Sequence, residues 1–97
     1  MDAVHRLQAW FAQNCNGEWE HGNGVKIDTL DNPGWRVTID LNGTRWAPLV
    51  LSRTMNERTD IDWIQTEVSN SRFTGVGGPL NLHEIIDSFF HFLGEQQ

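Results

Sequence analysis

The chain has no tyrosine, a single cysteine and a single lysine. No apolar run approaches the roughly 20 residues that a membrane-spanning helix needs. One cysteine, Cys15, excludes an internal disulfide and a cysteine metal cage. It follows the apolar stripe of the first helix and reads as a small core residue, with a reactive thiol as the alternative. The opening MDAVHRLQAWF lacks the basic start and long apolar stretch of a signal peptide, so a soluble, cytoplasmic protein is expected. Cations are scarce as well: seven Lys and Arg face thirteen Asp and Glu, a formal charge of −6. Nucleic-acid binding needs clustered cations that displace counterions from phosphates, and this balance argues against it. It suits a basic partner, as it also suits a solvated acidic domain.

What is present is large and aromatic. Five Trp and five Phe among 97 residues indicate a packed core, because each such side chain buries a large area on folding. The length suits one domain spanning residues 1–97.

Val4, Leu7, Phe11 and Cys15 recur at three- and four-residue spacing, with Ala3 and Trp10 on the flank, which predicts a helix from about Asp2 to Asn14. Asp2 suits its positive N-terminus, and Asn14 to Gly17 end it. Alternation follows. Val25, Ile27 and Thr29, then Trp35, Val37, Ile39 and Leu41, predict two half-buried antiparallel strands with odd positions inward. Across the turn Asp31-Asn32-Pro33-Gly34, the apolar register is expected to set Ile27 opposite Ile39, with Gly34 left-handed. Asn42-Gly43 signals a two-residue hairpin that would set Asp40 opposite Arg45 and Ile39 opposite Trp46. Ala47 to Leu51 would continue that third strand, with Pro48 at an edge or bulge, and Ser52 to Thr59 reads as a polar loop.

Ile61 to Val68 reads as a strand with Trp63 and Glu67 on one face and Ile64, Thr66 and Val68 on the other. Arg72 to Val76 adds a short strand. Asn81 and Glu84 match a helix cap and its reciprocal partner, ahead of a stripe of Leu82, Ile85, Ile86, Phe89, Phe90 and Leu93 that stops at Gly94. The expected fold is α+β, order α-β-β-β-β-α: an antiparallel sheet of four to five strands with N- and C-terminal helices, a two-layer sandwich.

Catalytic patterns are missing. Glu18, Glu20 and His21 could start a metal or acid-base site, but His5, His83 and His91 complete no ligand spacing such as HExxH. Gly75-Val76-Gly77-Gly78 lacks the GxxxxGK[ST] pattern, no GxSxG elbow occurs, and Lys26 reads as a solvated strand residue. No catalytic residue, metal or cofactor is expected. Asp60, Asp62, Trp63 and Glu67 instead combine carboxylates with an aromatic anchor, as protein interfaces do. The alternative is that Trp63 belongs to the core and the aspartates cap a loop. Glu18 and Glu20 beside Trp19 offer a second such group, although Trp10, Trp19, Trp35 and Trp46 all suit inward positions.

The run Trp10, Cys15, Gly17, Trp19-Glu20-His21, then Gly24 to Trp35 with its TLDNPGW, then Ile39-Asp40-Leu41, resembles the Immunity protein 53 family of bacterial polymorphic-toxin systems. The chain has Asn16 and Glu18 where the family pattern is expected to carry Asp. The resemblance implies a cytoplasmic, non-enzymatic antidote that binds a cognate secreted toxin domain and neutralises it by occlusion. The residues set against such a partner are Glu18, Trp19, Glu20, Asp60, Asp62, Trp63 and Glu67. Nucleic acid and membrane are not expected partners. The rival readings are a small metal-dependent enzyme using Glu18, Glu20 and a helix histidine, or a ligand-binding or scaffolding domain whose Trp cluster lines a pocket.

Overall fold

The structure, a computed structural model, describes residues 2–95. Its elements are α1 (Ala3–Asn14), α2 (Trp19–Gly22), β1 (Val25–Leu30), β2 (Gly34–Asp40), β3 (Leu51–Glu57), β4 (Trp63–Ser69), β5 (Arg72–Gly77) and α3 (Leu82–Glu95). The strands form one antiparallel sheet in the order β1-β2-β5-β4-β3. Helix α3 lies across β2, β5 and β4, and α1 packs beside α3. The α+β class and terminal helices are therefore as expected, and one sheet face is covered while the other stays open.

Alternation decides the faces. Val37 and Ile39 of β2, Phe73 of β5, and Ile64 and Val68 of β4 are buried toward the helices, and they meet Ile85, Ile86, Phe89, Phe92 and Leu93 of α3. Each large side chain fully buried in this layer contributes about 1.5–3 kcal/mol. Phe89 stands at the centre, edge-on to Phe73 at 5.1 Å and to Trp10 at 5.3 Å between ring centroids.

Six local expectations change. Helix α1 buries Ala3, Leu7 and Trp10, whereas Val4 and Phe11 are exposed and Cys15 is half-buried with its thiol on the Phe11 carbonyl. The wide indole of Trp10 turns the helix toward the aromatic centre, and the smaller stripe residues rotate outward. In the β1–β2 pair, Ile27 faces Val37 and Val25 faces Ile39, so the register is two residues tighter than expected. Gly34 is not left-handed; it opens β2 against the backbone of Gly77, where a side chain has no room.

The Asn42-Gly43 hairpin does not form. Gly43 is left-handed and Thr44 N donates to Leu41 O at 3.0 Å, so the turn survives, but β5 takes the place beside β2 and sets Phe73 opposite Ile39. Residues 41–50 instead cross the end of the sheet to its far edge. There Trp46 reaches Trp10 at 6.1 Å and Leu49 packs on the core. Long-range aromatic burial outweighs the local turn preference. The expected polar loop 52–59 is mostly strand β3. It is an edge strand beyond the cover of α3, solvated on both faces, so its sequence carries no alternation to read. Finally, the Asn81 side chain does not cap its own helix: its Nδ2 donates to Glu84 Oε1 at 3.0 Å, and its Oδ1 receives the Trp63 N–H.

Candidate functional site

The two groups of proposed contact residues lie at opposite ends of the strands. Glu18 to His21 sit beside the loop that follows β2, because Trp19 Nε1 donates to Asn42 O at 2.7 Å. Trp19 to His21 lie in the short helix α2, which Glu18 precedes. Trp19 is only 6% exposed and edge-on to Trp10 at 5.9 Å. It is a core residue, which removes it as a surface anchor. Glu20 accepts backbone N–H groups from Asn16 and Gly17, each at 2.9 Å, and so ties the loop after α1. Its own backbone N–H, then those of Asn16 and Gly17, hold its carboxyl below the usual range. Glu18 precedes α2 and is exposed, without a side-chain capping bond.

The β1–β2 turn, the β3–β4 loop and the β5–α3 connection gather at the other end, about 20 Å away by the length of a seven-residue strand. Here Thr59 Oγ1 receives the N–H groups of Ile61 and Asp62, at 3.2 and 2.9 Å, and curls the loop. Asp62 points inward: it accepts from Arg58 at 2.8 Å and from Asn81 at 2.9 Å. Arg58 also forks onto Glu84 of α3. Hydrogen bonds from Arg58, then from Asn81, lower the pKa of Asp62; Arg58 likewise lowers Glu84, and the two carboxylates together raise the guanidinium. Asp62 and Glu84 thus clamp the loop to α3. Asp60 and Ile61 at its tip are exposed, as is Leu80 of the β5–α3 connection, at 91%.

The open sheet face runs from this end. Trp63 and Glu67 point to it, as expected, and Glu67 meets Arg53 at 3.7 Å. Next to Trp63 lies a groove of about 390 Å³, floored by Met55, Gln65 and Val76 and rimmed by Asn32, Glu57 and Asp60. Sequence reasoning missed Met55 and Glu57 because β3 was read as loop. A second groove, about 460 Å³, lies at the β1–β2 side and is lined by Lys26, Arg36 and Arg72 with Asp28 and Asp40. Arg72 pairs with Asp40 at 3.1 Å. The open face therefore carries Lys26, Arg36 and Arg72 with two aspartates at one side, and at the other Glu57 and Asp60, which have no cationic partner among the described residues.

Among the described residues no three His, Cys, Asp or Glu side chains converge on a position for a metal ion, and no helix is long and apolar enough to cross a membrane. His5 pairs with Asp2, and His83 with Asp87. The open sheet face thus presents polar side chains around the half-buried Trp63. In comparisons with known proteins, the family model described as Immunity protein 53 matches residues 4–93. No curated protein and no solved structure matches.

Proposed function

The chain belongs to the Immunity protein 53 family, and from that membership we propose that it is a non-enzymatic antidote, acting in the cytoplasm of the producing cell. It binds a cognate toxin domain and blocks it by occlusion. The contact surface is the open face of the sheet around Asp60, Trp63 and Glu67, extended by Met55 and Glu57. The observation that carries this choice is the half-buried Trp63 set among carboxylates on a face that no element covers. Interfaces place a large aromatic at the centre and charges at the rim, where they speed approach and exclude wrong partners.

Glu20 and Asp62 support the surface without meeting the partner, since both carboxylates are engaged within the fold. Glu18 lies far from Trp63 and is secondary. The inhibitor reading also suits the interior better than a ligand-binding one. Trp10 packs against both Trp19 and Trp46, at 5.9 and 6.1 Å between ring centroids.

Co-expression with the toxin encoded beside the gene tests the proposal. Growth rescue and a co-purifying complex are expected, and absence of both rejects it. Within that complex, reversing Asp60 and Glu67 to Lys is expected to slow association by about tenfold and to flatten its salt dependence. Unchanged kinetics would move the interface off this face.

A further inference from the structure

The groove beside Trp63 has a chemistry more specific than an acidic patch. We propose that it receives an arginine side chain projected by the partner, an assignment that rests on the open face being the contact surface.

Three observations converge. The indole of Trp63 is half-buried, makes no hydrogen bond among the described residues, and belongs to a residue that lines a groove of about 390 Å³. Glu57 and Asp60 rim the groove, and neither has a cationic partner among the described residues. The cation nearest in sequence, Arg58, is turned away onto Asp62 and Glu84. The fold thus spends its local arginine on the clamp and leaves two carboxylates open beside an aromatic surface.

An occupant must satisfy both parts. An apolar anchor would desolvate Glu57 and Asp60 without giving them a partner, and an acidic one would be repelled. A cation over the indole is attracted by the ring quadrupole while it neutralises the rim. Between the two basic side chains, the planar guanidinium stacks on an indole and forks onto carboxylates, and its weaker hydration lowers the cost of entry. Its methylene stem meets Met55 and Val76 on the floor.

The test uses the full chain and Nα-acetyl-arginine amide, followed by nuclear magnetic resonance at low salt. Progressive shifts of the Trp63 indole N–H and the Met55 methyl are expected. The lysine analogue should give smaller shifts at equal concentration, and the neutral citrulline analogue none. The double variant Glu57→Gln with Asp60→Asn, at exposed positions that leave the fold intact, should weaken the arginine response by about tenfold. A silent Trp63, a citrulline response equal to that of arginine, a lysine response as strong as that of arginine, or an unaffected double variant would each overturn the assignment. If the arginine probe seats but the neighbouring toxin does not bind, the groove's selectivity stands and the toxin-blocking function falls.

Discussion

Gly34 is the position where a single added methyl group most directly tests this packing. A Cβ at Gly34 would press on the carbonyl oxygen of Gly77, well inside contact distance, and lie 3.3 Å from the carbon of that carbonyl. Its neighbour on the other side, Leu30 Cδ1, is at an ordinary 3.5 Å. The obstacle is therefore backbone, which cannot rotate aside as a side chain can. Relief requires β2 and β5 to part at the end where Trp35 Nε1 holds Pro79 O. Overpacking of this kind costs about 1–3 kcal/mol, and the stiffer unfolded chain returns about 0.4–1 kcal/mol. Gly34→Ala is expected to lose about 2 kcal/mol, equivalent to a fall in Tm of about 10 °C for a domain of this size. Gly94→Ala is the internal control: it lies within α3 with nothing within 4 Å of the added atom. It should gain about 0.5–1 kcal/mol from helix propensity. Urea and thermal denaturation of the two variants should move in opposite directions. A Gly34→Ala protein as stable as the wild type would refute the close approach of β2 and β5.

Two other perturbations probe the core and the clamp. Phe89→Ala removes the ring that joins Trp10, Phe73 and Phe90; a loss of about 3–5 kcal/mol is expected from the urea midpoint, a large share of the total stability of such a domain. A loss under about 1 kcal/mol would place the centre of the core elsewhere. For the clamp, the hydrogen bonds of Arg58 hold Asp62 and Glu84 below ordinary carboxylate values in the folded state. Their contribution is complete above the unfolded pKa, about 4, and disappears as pH falls through the lowered folded values. The stability deficit of Arg58→Met should accordingly be present at neutral pH and shrink on acidification through and below that range. A deficit independent of pH would show that the guanidinium acts by packing alone.

Much of the fold is written locally. The alternation of Trp35 to Leu41 and the helical stripe from Leu82 to Leu93 specify which elements form and which side each buries, whereas the alternation of Val25 to Thr29 marks a strand whose Ile27 and Thr29 stay exposed. These follow from the geometry of the chain itself, since period two and period 3.6 are properties of neighbouring residues. The wording from Trp10 to Leu41 likewise carried the family. Alternation names a face but not a neighbour. Whether Ile39 lies beside Trp46 or Phe73 depended on burial distributed over distant segments, and the aromatic centre at Trp10, Trp46 and Phe89 decided it.

The same limit governs the site. Trp19 and Trp63 sit in similar company of acidic residues in the sequence, yet one closes the core and the other borders an open groove. Likewise, Asp60 and Asp62 are near neighbours, but only the reach of Arg58 across to α3 makes one a clamp and leaves the other free. Sequence by itself determined most of the elements, the faces of β2, β4 and α3, and the family. Tertiary structure decided strand order, and with it which tryptophan and which carboxylates remain for a partner, because those outcomes depend on contacts between residues far apart in the chain.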